Sequence, residues 1–116
     1  MTRASTAQRL PRAKQINAIV DAMSNAELRR YEAWSDLARL SFETTVDGIN
    51  VDPAGIIVTG DKFVGLAAIY VALKYNSGLR RGLETSDTFE GQFEGHFEGK
   101  RPVIDKVTVD TSPFYE

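Results

Sequence analysis

The sequence predicts a mainly α fold: a small helical bundle with a long central helix, one or two short β segments and an extended C-terminal tail. Three observations predict it. Apolar residues recur at steps of three and four over about residues 25–44. Residues 62–77 are apolar around most of a helical circumference. Runs of β-branched residues are short, at 56–58 and again after Pro102.

The chain has 116 residues, enough for one domain. Residues 1–10 are small and polar and read as a flexible basic arm. Residues 11–101 read as the helical domain, and residues 102–116 as an extended docking tail. Pro11 stands where a first helix can begin, and Ile16, Ile19, Val20 and Met23 follow at helical spacing. Ser24 and Glu27 form a capping-box pair, which opens a second helix or kinks a longer one. Leu28, Tyr31, Trp34, Leu37, Ala38 and Phe42 then mark an amphipathic helix, with Arg29, Arg30, Glu32, Ser35, Asp36 and Arg39 on its other side.

Asp47-Gly48 and Asp52-Pro53 place a turn region over 46–53. Ile56, Ile57 and Val58 read as a strand or an extended plug. Thr59-Gly60-Asp61 breaks the chain and offers a cap to the central helix, which Asn76 and Gly78 stop ahead of Arg80 and Arg81.

Phe89-Glu90-Gly91-Gln92, Phe93-Glu94-Gly95-His96 and Phe97-Glu98-Gly99-Lys100 repeat with period four. A strand would put Phe and Gly on one face and Glu, Gln, His and Lys on the other. A helix would give a slowly drifting phenylalanine stripe. Three glycines cost a helix about 1 kcal/mol each, which favours a strand. Asp87 and Glu90 make a helix start, and Lys100 and Arg101 suit a helix end, so the expectation is a helix ended by Pro102. Val103, Ile104, Val107 and Val109 are β-branched, and Val107-Thr108-Val109 alternates as a strand does. Phe114 and Tyr115 close an extended tail suited to docking a partner.

Composition narrows the chemistry. There is no cysteine, so disulfides, thiolate zinc sites and a cysteine nucleophile are excluded, and the single histidine, His96, excludes a multi-histidine metal site within one chain. Apolar runs fall well short of a membrane span, and Met1 to Leu10 has no hydrophobic stretch of signal-peptide type. The net charge of −2 conceals blocks of alternating sign: basic over 1–20, acidic over 21–61, basic over 62–81, acidic over 82–99 and balanced beyond. Alternating blocks suit a protein that meets copies of itself.

Catalytic signatures are weak. His96 has Glu94 and Glu98 nearby, but these read as solvated charges rather than as an orienting partner. Asp47 to Asp52 only faintly imitates a calcium loop, and its oxygens suit a turn better. Val58 to Lys62 lacks the second glycine and the hydroxyl of a phosphate loop. The expectation is a protein that is not an enzyme, with no catalytic residue, no cofactor and no metal. Arg3, Arg9, Arg12 and Lys14 are the candidate phosphate contacts of an alternative reading, a small helical DNA- or protein-binding regulator. A third reading is a small enzyme or binder whose pocket is lined by Trp34, Tyr31 and Phe63.

In the order of its elements, over about residues 28–111, the chain resembles the head–tail connector (adaptor) proteins of tailed bacteriophages. The resemblance is carried by Tyr31 to Ala38, by Asp47-Gly48-Ile49 with Asp52-Pro53, and above all by Gly60 to Leu73 with its "AxxYxAL" run. A polar link, Glu84 to Asp87, an aromatic and acidic segment from Phe89 to Lys100, and Val107 to Thr111 follow. The glycine-rich repeat departs from that pattern. The resemblance implies a virion structural protein at the neck, assembled in the host cytoplasm. It implies a homo-oligomeric ring of about twelve copies, closed by heterologous contacts. The ring's partners would be the portal protein and a neck or tail-completion protein. DNA would pass through its channel without sequence-specific binding, and no membrane would be involved. Portal docking would fall to the tail residues Val107, Val109, Phe114 and Tyr115.

Overall fold

The computed structural model describes residues 11–41, 43–75 and 83–115. The N-terminal arm and the expected helix stop at Asn76 to Arg81 lie outside them.

The expected helical bundle is overturned. Most of the chain folds into an antiparallel sheet, with helices on one side. Strand β3 (Lys62–Tyr75) pairs along its whole length with strand β4 (Leu83–Glu98), from Lys62 opposite His96 to Tyr75 opposite Leu83. Strand β5 (Arg101–Asp110) pairs with the second half of β4, from Glu98 opposite Arg101 to Glu90 opposite Asp110. On the far side of β3 lie two strands in line. Strand β1 (Glu43–Val51) covers Ala67 to Lys74, and the short β2 (Ile57–Thr59) covers Lys62 to Val64.

The segment expected as the central helix is therefore β3. Its inward row is Phe63, Gly65, Ala67, Ile69, Val71 and Leu73, all buried, and its outward row is Lys62, Val64, Leu66, Ala68, Tyr70, Ala72 and Lys74. Both rows are largely apolar. That hides the two-residue alternation of a strand and imitates a helix that is apolar all round.

The period-four repeat is β4, not a helix, and the strand assignment explains its glycines. Phe93 stands directly opposite Gly65, and Gly95 directly opposite Phe63. A methyl group on Gly65 would collide with the Phe93 ring. One on Gly95 would meet Phe63 Cζ at 2.6 Å and the Val103 carbonyl oxygen, and one on Gly91 would meet Ile69 Cδ1 at 2.7 Å. Each glycine is the hole into which a large side chain of a neighbouring residue lies, so Phe63, Phe93 and Phe97 stack edge to face, with centroids 6.3 and 5.4 Å apart. The third glycine has a different task. Gly99 and Gly60 adopt positive φ (67° and 61°) at the first position of the two-residue loops Gly99-Lys100 and Gly60-Asp61. Glycine-first loops of this kind match the twist of the strands they join.

Helix α1 (Arg12–Ser24) forms as expected and buries Ile19 and Met23. Ser24 ends it rather than capping a new helix, and Asn25 Nδ2 donates to the Asp21 carbonyl at 2.9 Å. The amphipathic helix expected over 25–44 is instead a 3-10 turn (Leu28–Arg30), the short helix α2 (Ala33–Ala38) and the start of β1. The buried Thr44 Oγ1 donates to the Leu37 carbonyl at 3.0 Å, tying the end of α2 to β1. The expected turn over 46–53 is mostly strand. Asp47 is accommodated as a bulge, and the chain turns only at Pro53–Gly55, where Asp52 accepts from the Ala54 amide at 3.0 Å. The expected β segments at 56–58 and after Pro102 correspond to β2 and β5.

Ile19, Met23, Leu28, Ala33, Leu37 and Leu40 from the helical side meet Phe63, Ile69, Val71, Leu73, Phe89, Phe93 and Val107 from the inner face of the sheet in one cluster. Fully burying a side chain such as Phe63 or Ile69 contributes about 1.5–3 kcal/mol. Both outer strands carry bulges, at Asp47 in β1 and at Asp105 in β5, and β5 also carries Pro102. Bulges and proline on edge strands discourage uncontrolled strand addition.

Candidate functional site

Because the helices occupy one face, the other face of the sheet is open. Its floor is the outward row of β3 with Ile57 of β2 beside it. Ile57 is 62 % exposed, and Val64, Leu66 and Tyr70 are each 40–44 % exposed. Gly48 on β1 lies opposite Tyr70, and its missing side chain leaves that ring uncovered on the β1 side. Two shallow depressions share Leu66. One, of about 370 Å³, is bounded by Ile57, Val64, Gln92, Glu94, Lys106 and Thr108. The other, of about 380 Å³, is bounded by Asn50, Asp52, Ala68, Thr88 and Glu90. An apolar floor thus runs along β3, with Asp52, Glu90 and Glu94 on its rim against Lys106. Contiguous apolar surface with a polar rim marks interaction sites on soluble domains.

His96 lies at one end of this face. The bulge in β5 falls between Ile104 and Lys106, and it carries the Asp105 carboxylate to the imidazole. Nδ1 is 2.6 Å from Asp105 Oδ2, and Nε2 is 3.1 Å from Glu98 Oε2, which shares its carboxylate with Arg101 Nη2 at 2.9 Å. A neutral imidazole has one N–H and cannot donate to both carboxylates, so this geometry belongs to the imidazolium. The hydrogen bonds that His96 donates to Asp105 and then to Glu98 raise the His96 pKa above its ordinary value, and those that Glu98 accepts from His96 and then from Arg101 lower that of Glu98. The group ties the β4–β5 hairpin together at its loop end. Its other neighbours are Lys62 across β3 and Val103 across β5. Tyr31 donates to the Ile104 carbonyl at 3.3 Å and secures the bulge from the helical side.

The residues singled out from the sequence are dispersed. Of the tail residues, Val107 is fully buried in the core, Val109 and Phe114 are half-buried, and Tyr115 is exposed. The tail is not extended to its end: after β5 it closes in a 3-10 turn (Ser112–Tyr115), which lays Phe114 edge-on against Phe89 at 6.3 Å. Arg12 and Lys14 are exposed on α1, and Arg3 and Arg9 lie outside the described residues. Trp34, Tyr31 and Phe63 do not share a pocket. Trp34 lines a depression with Glu27 and Asp47 and carries Arg29 over its ring at 5.3 Å, whereas Phe63 is in the core. Among the described residues, no group of three or more His, Asp or Glu side chains is placed to hold a metal ion, and no helix is long and apolar enough to cross a membrane.

Sequence reading missed the outer face because it follows only from β3 being a strand. The available signal was a strand-length run apolar on both parities. The His96–Asp105 contact had no sequence signal, since it depends on a bulge. Fold and site together define an α+β domain: a helix-backed antiparallel meander with one open, apolar-floored face. No family model, curated protein or solved structure matches the chain.

Proposed function

We propose that this chain is a structural subunit, without catalytic function, that assembles with copies of itself through the open face of its sheet. The exposed row of Ile57, Val64, Leu66 and Tyr70 carries the reading. These are large apolar groups on rigid strands, and covering them removes apolar surface from water at about 25 cal/mol per Å². Alternating charge blocks along the chain supply the complementary surfaces that a repeating, head-to-tail contact needs.

A place in the virion neck, as one ring subunit between portal and tail-completion protein, is the setting we propose for that assembly. It rests on the order of motifs over residues 28–111. The "AxxYxAL" run, the strongest of them, is a strand here, so the contact surface in such a ring is a sheet face rather than a helix bundle.

The test is the mass of the purified full chain by light scattering across a concentration series, beside Leu66→Asp. The wild type is expected to be a multiple of the 12.8 kDa chain, and the variant a folded monomer. A wild type that stays monomeric at every concentration overturns the reading. Genes for a portal and capsid upstream and for tail proteins downstream are expected beside this one if the neck is its place.

A further inference from the structure

We infer that the open face receives the basic N-terminal segment, residues 1–10, of a neighbouring copy. The inference rests on the self-assembly reading above and names the contact that would make it. Three observations converge on this segment.

The first is charge. Around Leu66 the rim of the open face carries Asp52, Glu90 and Glu94 against Lys106, whose Nζ also lies 3.7 Å from Glu32 Oε1. Lys62 and Lys74 stand at the two ends of the outward row, Lys74 beside Glu43 and Glu84. Residues 1–10 carry Arg3 and Arg9 and no acid, and Arg12 and Lys14 follow at once. A second copy's open face would instead bring acidic rims together, so face-to-face pairing is disfavoured on the same ground.

The second is chemistry along the segment. Met1, Ala4, Ala7 and Leu10 are apolar, and the residues between them are polar or basic. A floor of Val64, Leu66 and Ala68 with an acidic rim asks for that combination: small and medium apolar groups below, guanidinium groups at the side.

The third is length. The floor from Lys62 to Tyr70 spans roughly 27 Å at the rise of a strand. Ten residues of extended chain reach roughly 33 Å. The segment ends at Pro11, where α1 begins on an exposed residue. The contact joins two different surfaces, the arm of one copy and the sheet face of the next. Such heterologous contacts propagate head to tail and close into a ring when the rotation permits.

The test uses the full chain, a variant beginning at Pro11, Leu66→Asp, an arm variant (Arg3→Glu with Arg9→Glu) and a face variant (Glu90→Arg with Glu94→Arg), each checked for folding by circular dichroism. The inference expects that deletion of 1–10, the arm variant and the face variant each reduce the assembly to single chains. It expects that mixing or combining arm and face variants restores it. A labelled peptide of residues 1–14 is expected to bind the shortened protein, and to weaken by about tenfold or more between low and high salt as its guanidinium contacts are screened. If the wild type assembles, Leu66→Asp disrupts it and the shortened protein still assembles, the face docks something other than the arm. The inference is then overturned while the self-assembly reading stands. A wild type that never assembles overturns both.

Discussion

His96 holds two carboxylates with one ring, and that fixes the direction of its pH dependence. Its pKa in the folded protein is raised above 6.5, so its contribution is complete below 6.5 and fades as pH rises through the raised value. Glu98 is shifted the other way. Its contribution is complete above 4.5 and is lost as pH falls through the lowered value. The clasp at the end of the β4–β5 hairpin is therefore fully made between about 4.5 and 6.5. An NMR titration of the His96 ring is expected to give a pKa above 6.5 in the wild type, and one moved back toward it in Asp105→Asn, since Asp105 makes the shorter bond. A wild-type ring that titrates at or below the ordinary value would show that the two bonds are not held together in water.

The glycines of β4 carry an element-scale prediction. Gly95→Ala places a methyl group against the Val103 carbonyl and the Phe63 ring, neither of which can yield without moving backbone or core. Overpacking of this kind costs about 1–3 kcal/mol, and a backbone neighbour puts Gly95 at the upper end. Thermal melts should show a clear fall in Tm for Gly95→Ala and a smaller one for Gly65→Ala, where only the Phe93 ring opposes the new methyl. If both variants melt with the wild type, the phenylalanines do not lie in these holes.

The same residues show what the sequence made legible and what it did not. Helix α1, β2 and β5 could be read because their local signals agree: Pro11 with helical spacing in one, β-branched runs in the others. β3 could not, because its outward row is apolar too, and the feature that makes it a candidate docking strand also erases its alternation. The repeat fits either period by arithmetic. Its glycine cost pointed to a strand, and helix-end signals at Asp87, Lys100 and Arg101 outweighed it; in the fold those charges belong to strands and a hairpin loop. Of the open face, Asp52, Glu90 and Glu94 stand out in the sequence as members of acidic blocks, Ile57 as part of a β-branched run and Tyr70 within the apolar segment, but nothing in the sequence places them on one surface.

On the scale of the whole molecule, the helical layer and the sheet share one core. α1 and α2 contribute Ile19, Met23, Ala33 and Leu37 to a cluster whose other half is the inner face of β3 and β4. Separated, each layer would expose its half of that cluster to water. A helix of six residues such as α2 is too short to persist in water by itself, so it should hold only while the sheet is present. The chain is then expected to unfold in a single cooperative step. Trp34, the sole tryptophan, sits in α2 and reports on the helical layer, while far-ultraviolet circular dichroism reads the backbone of helices and strands together. Their urea transitions should coincide. Leu37→Ala in α2 and Ile69→Ala in β3 should each cost about 2–5 kcal/mol and move both signals together. A tryptophan transition that precedes the loss of strand signal would mean that the helices dock on a sheet already stable without them. In that case Leu37→Ala would shift the first transition and leave the second in place.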